Sequence, residues 1–126
     1  MTRYLCVLLG GGAGSLTRYL VNRAFVQYFP NANFVLGTLF VNVTGSFLIG
    51  VAMTLLSERF RLPHFWHLLA VVGFLGGYTT FSSFEYEGYL AVREGRFTLA
   101  LLYLLGSVVL GFVALRAGVL LASSRA

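Results

Sequence analysis

This chain of 126 residues has no lysine, no aspartate, one cysteine and two prolines, and only 10% of it is charged. Each scarcity removes a class of explanation. Cys6 stands alone, so no intramolecular disulfide can hold the fold, and redox compartment stays unread. Without aspartate there is no Ser/His/Asp set. His64 and His67, three apart in HFWH, have no cysteine or aspartate beside them to complete a metal site. Packing at a membrane interface beside Trp66 is the better account of both, and the chain does not read as an enzyme. Nor does it read as a soluble domain, which carries about 25% charged residues.

Apolar residues make up 58% of the chain. No charged residue occurs between Arg23 and Glu58, between Arg61 and Glu85, or between Arg96 and Arg116. Each gap is long enough for a helix across a hydrocarbon core, which needs about 20 residues. A shorter apolar start runs from Tyr4 to Thr17, and Leu20, Val21, Ala24 and Phe25 extend it. The opening has the flavour of a secretory signal, but its pattern continues past Arg18 to Phe25. The expectation is one transmembrane domain over residues 1–126, with spans at about 5–25, 35–56, 65–92 and 97–121. The first connection has turn residues in Pro30, Asn31 and Asn33, and the third is a tight turn around Gly95.

A pI near 9.9 would suggest nucleic acid in a soluble protein. Here all nine basic residues are arginine, and most fall near predicted helix ends, where they meet lipid headgroups. No nucleic-acid partner is expected. Arg3, Arg59, Arg61 and Arg125 fall on one side of the membrane, and Arg23, Arg93 and Arg96 on the other. Four against three gives little orienting bias. That balance favours a chain that inserts both ways and pairs head to tail, since four short helices enclose little alone.

Several spans carry polar residues that oil does not need. The first reads GGGAGSLTRY. A nucleotide fingerprint would require a preceding strand, so Gly10, Gly11, Gly12 and Gly14 instead mark a close helix–helix contact. Arg18 either snorkels to the interface or lines an anion-attracting vestibule. In the second span, Thr38, Asn42 and Ser46 recur every four residues, beside Gly45 and between Gly37 and Gly50, and share one face. In the fourth, Tyr103 and Ser107 form a second stripe, followed by Gly111. The third is the most unusual: GFLGGYTTFSSFEYE, residues 73–87. Gly76 and Gly77 are expected to interrupt its helix, with Thr79 and Thr80 bonding the freed backbone. Such breaks occur only inside protein or along a cavity, and their bare carbonyls hold cations. Phe81 and Phe84 lie three apart on one face, and ring edges carry positive potential. Edges turned toward a narrow path would favour a small anion without trapping it.

On these stretches the sequence resembles the Fluc fluoride channels, also called CrcB proteins, over nearly its whole length. The resemblance implies an all-α membrane protein of four transmembrane helices with a break in the third, assembled as an antiparallel dual-topology homodimer. It implies passive fluoride export from the cytoplasm, across the bacterial inner or plasma membrane, through two pathways. A structural sodium ion (Na+) at the dimer interface is implied too, held by the carbonyls of Gly76 and Thr79. By position, the fluoride-contacting rings match Phe81 and Phe84, the pore asparagine matches Asn42, and the vestibule arginine matches Arg18. The polar track matches Tyr103 and Ser107, with Thr38 and Glu87 as further members. Gly111 stands where some relatives have a hydroxyl, and Glu85 where many have serine. A small, strongly hydrated anion needs replacement donors, here the Asn42 amide and the hydroxyls of Thr38, Ser82, Tyr103 and Ser107. The rival expectation is a small proton-coupled multidrug transporter, which needs a deep titratable carboxylate; Glu85 and Glu87 are the candidates.

Overall fold

The computed structural model describes residues 2–30, 35–60 and 63–124, with nothing given for the side chains of residues 57–59. Asn31, Asn33, Arg61 and Arg125, used above, lie outside the described residues, as do the side chains of Glu58 and Arg59. Among the described residues every regular element is helical. Helix α1 is Thr2–Tyr28, and α2 is Val35–Met53. Beyond α2 the chain widens into a π-helical stretch, Thr54–Arg59, where the Phe60 N–H donates to the Leu55 carbonyl at 2.9 Å.

The third span comes in two pieces. Its first piece, α3, covers residues 64–78; it is α-helical at His64–Trp66, π-wound over His67–Leu75 and α-helical again at Gly76–Tyr78. Its second piece, α4, is Phe81–Arg93. Gly95 then turns the chain with φ +75, a left-handed angle that a side chain resists, and α5 follows as Phe97–Ser124.

Small residues set the packing. A Cβ on Gly10 would run into the Leu69 carbonyl, one on Gly14 into the Phe74 carbonyl, and one on Gly77 into the Gly11 carbonyl. So α1 and α3 meet backbone to backbone, as glycine-lined membrane helices do. Gly12 faces open space and takes no part. The same device joins α2 to α5, where Gly50 abuts the Leu115 carbonyl and Gly118 the Phe47 carbonyl. Val41 and Thr38 are fully buried, whereas Leu101, Leu105, Val109 and Phe112 project outward from α5. An apolar exterior of that kind suits lipid. Among the described residues two helices, Val35–Leu56 and Phe97–Ser124, are long and apolar enough to cross a membrane. The α1 helix is diluted by arginine and glycine, and neither α3 nor α4 is long enough by itself.

Candidate functional site

The interruption falls at Thr79 (φ −82, ψ 159) and Thr80 (φ −150, ψ 125), both extended. This corrects the expectation that Gly76 and Gly77 would break the helix. Gly76 keeps helical angles (φ −64, ψ −35), and Gly77 serves instead to let α1 approach. Two causes move the break. β-branched threonine tolerates extended backbone well, and Asn42 of α2 captures Thr80 from both sides. The Asn42 Nδ2 donates to the Thr80 carbonyl at 2.9 Å, and the Thr80 N–H donates to Asn42 Oδ1 at 2.8 Å. Helix α4 then starts with its own cap, the Ser83 N–H donating to Thr80 Oγ1 at 3.3 Å.

These bonds redirect the amides that a continuous helix would aim back at Gly76 and Thr79. The Thr80 amide would have served the Gly76 carbonyl, and the Ser83 amide the Thr79 carbonyl. The Gly77 carbonyl is occupied differently: Arg18 Nε donates to it at 3.0 Å and Ser15 Oγ at 3.5 Å. Among the described residues no group of three His, Cys, Asp or Glu could hold a metal. The oxygens at the break are those of its peptides and of the Thr79 and Thr80 hydroxyls, the class of ligand that suits a hard cation.

Gly76, Thr79 and Thr80 line an open groove of about 380 Å³ together with Asn42, Ser46, Phe81, Phe84 and Ser107. The Phe81 and Phe84 rings lie 5.8 Å apart, tilted by 45°. Phe84 is 5% exposed and Phe81 72%, so one ring is sunk in the chain and the other stands at the groove's open rim. Behind Phe84, the Tyr103 ring is 5.3 Å away. Tyr103 Oη donates to Glu87 Oε2 at 2.5 Å, and Thr38 Oγ1 donates to Glu87 Oε1 at 2.6 Å. Helices α2, α4 and α5 thus meet on one buried carboxylate. Ser107 Oγ is buried beside the groove without a hydrogen-bond partner.

The structure gathers Asn42, Phe81, Phe84 and Ser107 in the groove, and Thr38, Glu87 and Tyr103 in the cluster behind it. It separates three other candidates. Ser82 is exposed and outside the groove lining, Glu85 is exposed on the surface of α4, and Arg18 sits on the α1 side of the break. A Cβ at Gly111 would sit 3.4 Å from Ser46 Oγ, so glycine there leaves room for the α2 hydroxyl. The rings of His64 and His67 stack at 5.7 Å and 11°. Sequence reasoning missed Tyr78, whose hydroxyl lies 2.9 Å from that of Thr44, and Ser15. Ser15 precedes Arg18 by three positions on the same helix face, a signal that was available.

A family model described as "CrcB-like protein, Camphor Resistance (CrcB)" matches residues 5–119. The chain is 57% identical over 120 residues to the fluoride-specific ion channel FluC of Solibacter usitatus, covering 95% of this chain and 98% of that one. It is 46% identical over 110 residues to FluC of Hydrogenobaculum sp., covering 87% and 88%. With FluC of Nitrobacter winogradskyi it shares 44% over 118 residues, covering 94% and 93%. Identity at this level along both chains goes beyond a shared fold: the chain belongs to the CrcB/FluC fluoride-channel family, a family of membrane channels and not of enzymes.

Proposed function

We propose that this chain forms a fluoride-selective channel that passively exports fluoride from the cytoplasm, working in the cell membrane as an antiparallel, dual-topology homodimer. One observation carries the reading. A single groove joins the Asn42 amide, the Phe81 and Phe84 rings and the Ser107 hydroxyl, in a chain 57% identical to a protein named a fluoride-specific ion channel. Each of those groups has a job in passing a small anion. Asn42 uses one Nδ2 hydrogen on Thr80 and keeps the other for the groove. Ser107 Oγ has no protein partner and is free to donate. The ring edges of Phe81 and Phe84 offer positive potential without a full charge, so the ion is stabilised but not held. Thr38 and Tyr103 direct their hydroxyl protons at Glu87, so an anion reaching them must compete with that carboxylate. Arg18 adds positive charge at the α1 side of the break, and Ser82 is a further donor where α4 begins.

Two features support a second, inverted copy. The groove is open on one side, with Phe81 72% exposed at its rim. The sequence divides its arginines almost evenly between the two expected sides of the membrane, four against three. The carbonyls of Gly76 and Thr79, with their usual amides redirected, are the residues that would hold the sodium ion. Bound there, it would supply a fixed positive charge joining two subunits and favouring anions nearby.

The test is fluoride efflux from liposomes containing only the purified protein, followed with a fluoride electrode. The expected result is rapid release without a proton gradient, once a counter-ion path is provided. The buried Glu87 is the feature a proton-coupled transporter would use, so cation uptake driven by a proton gradient, with no fluoride leak, would replace the channel with that mechanism.

A further inference from the structure

The interrupted span presents three groups within four residues that α1 and α2 hold by polar bonds: the Gly77 carbonyl, the Tyr78 hydroxyl and the Thr80 peptide. Only one of the holding groups carries a charge. Arg18 Nε donates to the Gly77 carbonyl at 3.0 Å, and that carbonyl belongs to the last turn of α3. The last turn of a helix is its partially negative end, where unpaired carbonyls favour a cation. Gly77 also sits between Gly76 and Thr79, whose usual helical donors, the Thr80 and Ser83 amides, are turned to Asn42 and to the Thr80 side chain. The guanidinium is half-buried and anchored by a bond that spans 59 positions of the chain. A side chain that only snorkelled to the interface would place its head in water or among headgroups. Arg18 instead places its charge on the break.

We propose that Arg18 is a tethered cation on the C-terminal end of α3, occupying the Gly77 carbonyl and opposing the binding of a free alkali cation at the neighbouring carbonyls. This rests on the reading above that Gly76 and Thr79 hold sodium. The physics is mutual. Two positive charges at one helix end repel, so each weakens the other, and by linkage the coupling is the same in both directions. Ser15, the second donor to Gly77, steers the carbonyl but contributes no charge. Arg18 is therefore a positioning residue with an electrostatic signature that a purely structural contact lacks.

The experiment is thermal unfolding of the purified full-length protein in detergent, titrated with sodium chloride against N-methylglucamine chloride at constant ionic strength. Wild type, Arg18→Gln, Arg18→Lys and Ser15→Ala are compared. Arg18→Gln should be less stable without sodium, yet reach half of its sodium-dependent gain at a concentration on the order of tenfold lower, the size expected for one nearby like charge in partly buried surroundings. Arg18→Lys and Ser15→Ala, which keep the charge, should stay within about twofold of the wild-type midpoint. Recovery of Arg18→Gln only from sodium-containing buffer would be the same result in stronger form. An unchanged Gln midpoint, a Lys midpoint displaced as far as the Gln one, or loss of folding in every cation would overturn the inference while leaving the sodium reading intact. A wild-type protein that gains no stability from sodium would overturn the sodium reading, and this inference with it.

Discussion

The Asn42 side chain and the Thr80 peptide form a closed two-bond ring, at 2.9 and 2.8 Å, that fixes where the third span stops being a helix. An amide is the side chain that does this, because it offers a donor and an acceptor in one plane. Asn42→Asp loses the donor and sets a carboxylate oxygen beside the Thr80 carbonyl. The expected outcome is a lower melting temperature, by roughly 2 kcal/mol of stability, and suppressed fluoride efflux. Asn42→Asp with wild-type flux in the liposome assay would take Asn42 off the path.

Phe81→Ile and Phe84→Ile keep apolar bulk and remove the ring quadrupole. Fluoride efflux should fall by about tenfold or more in each, equivalent to ~1.4 kcal/mol at the barrier. Folding should separate the two, since Phe84 is buried and Phe81 is at the rim. Phe84→Ile should therefore melt earlier than Phe81→Ile. Normal efflux in both variants would remove the rings from the mechanism.

Tyr103→Phe deletes the hydroxyl that donates to Glu87 Oε2 and leaves that buried oxygen with no protein donor. Loss of one partner from a buried polar pair costs about 1–3 kcal/mol, read as a drop in melting temperature. Thr38→Val deletes the donor to Oε1 and should cost a comparable amount. Because both act on one carboxylate, the double variant should lose less or more than the sum of the two; strict additivity would mean that Glu87 does not couple them.

Gly14→Ala places a methyl group against the Phe74 carbonyl, where α1 and α3 touch through their backbones. Forcing the helices apart should cost about 1–3 kcal/mol. Gly12→Ala, facing open space on the same helix, is the control and should be close to neutral in the same melting experiment.

The helical plan was legible because long uncharged gaps suit membrane helices; among the described residues every regular element is helical, and Val35–Leu56 and Phe97–Ser124 are long and apolar enough to cross a membrane. The polar stripes on α2 and α5 were legible from four-residue recurrence, and Asn42 and Ser107 do face a common groove. The break was legible in kind but misplaced by two or three residues. Glycine propensity pointed to Gly76 and Gly77, whereas tertiary bonds from Asn42 decided in favour of Thr79 and Thr80. The partner of Arg18 was not legible at all. Nothing local relates residue 18 to the carbonyl of residue 77, and only the close approach that Gly10, Gly14 and Gly77 permit brings them together. Ser82 shows where neighbourhood in sequence and place in the fold part: it follows Phe81 directly, yet on α4 it is exposed and lies outside the groove lining.

The glycine seam between α1 and α3 has a mechanical consequence. Where two backbones touch directly, no side chain lies between them to change rotamer and take up slack, so the pair moves as one plank. That direct contact ends at the Thr79–Thr80 joint, beyond which α4 is held through side chains instead, by the bonds of Thr38 and Tyr103 to Glu87.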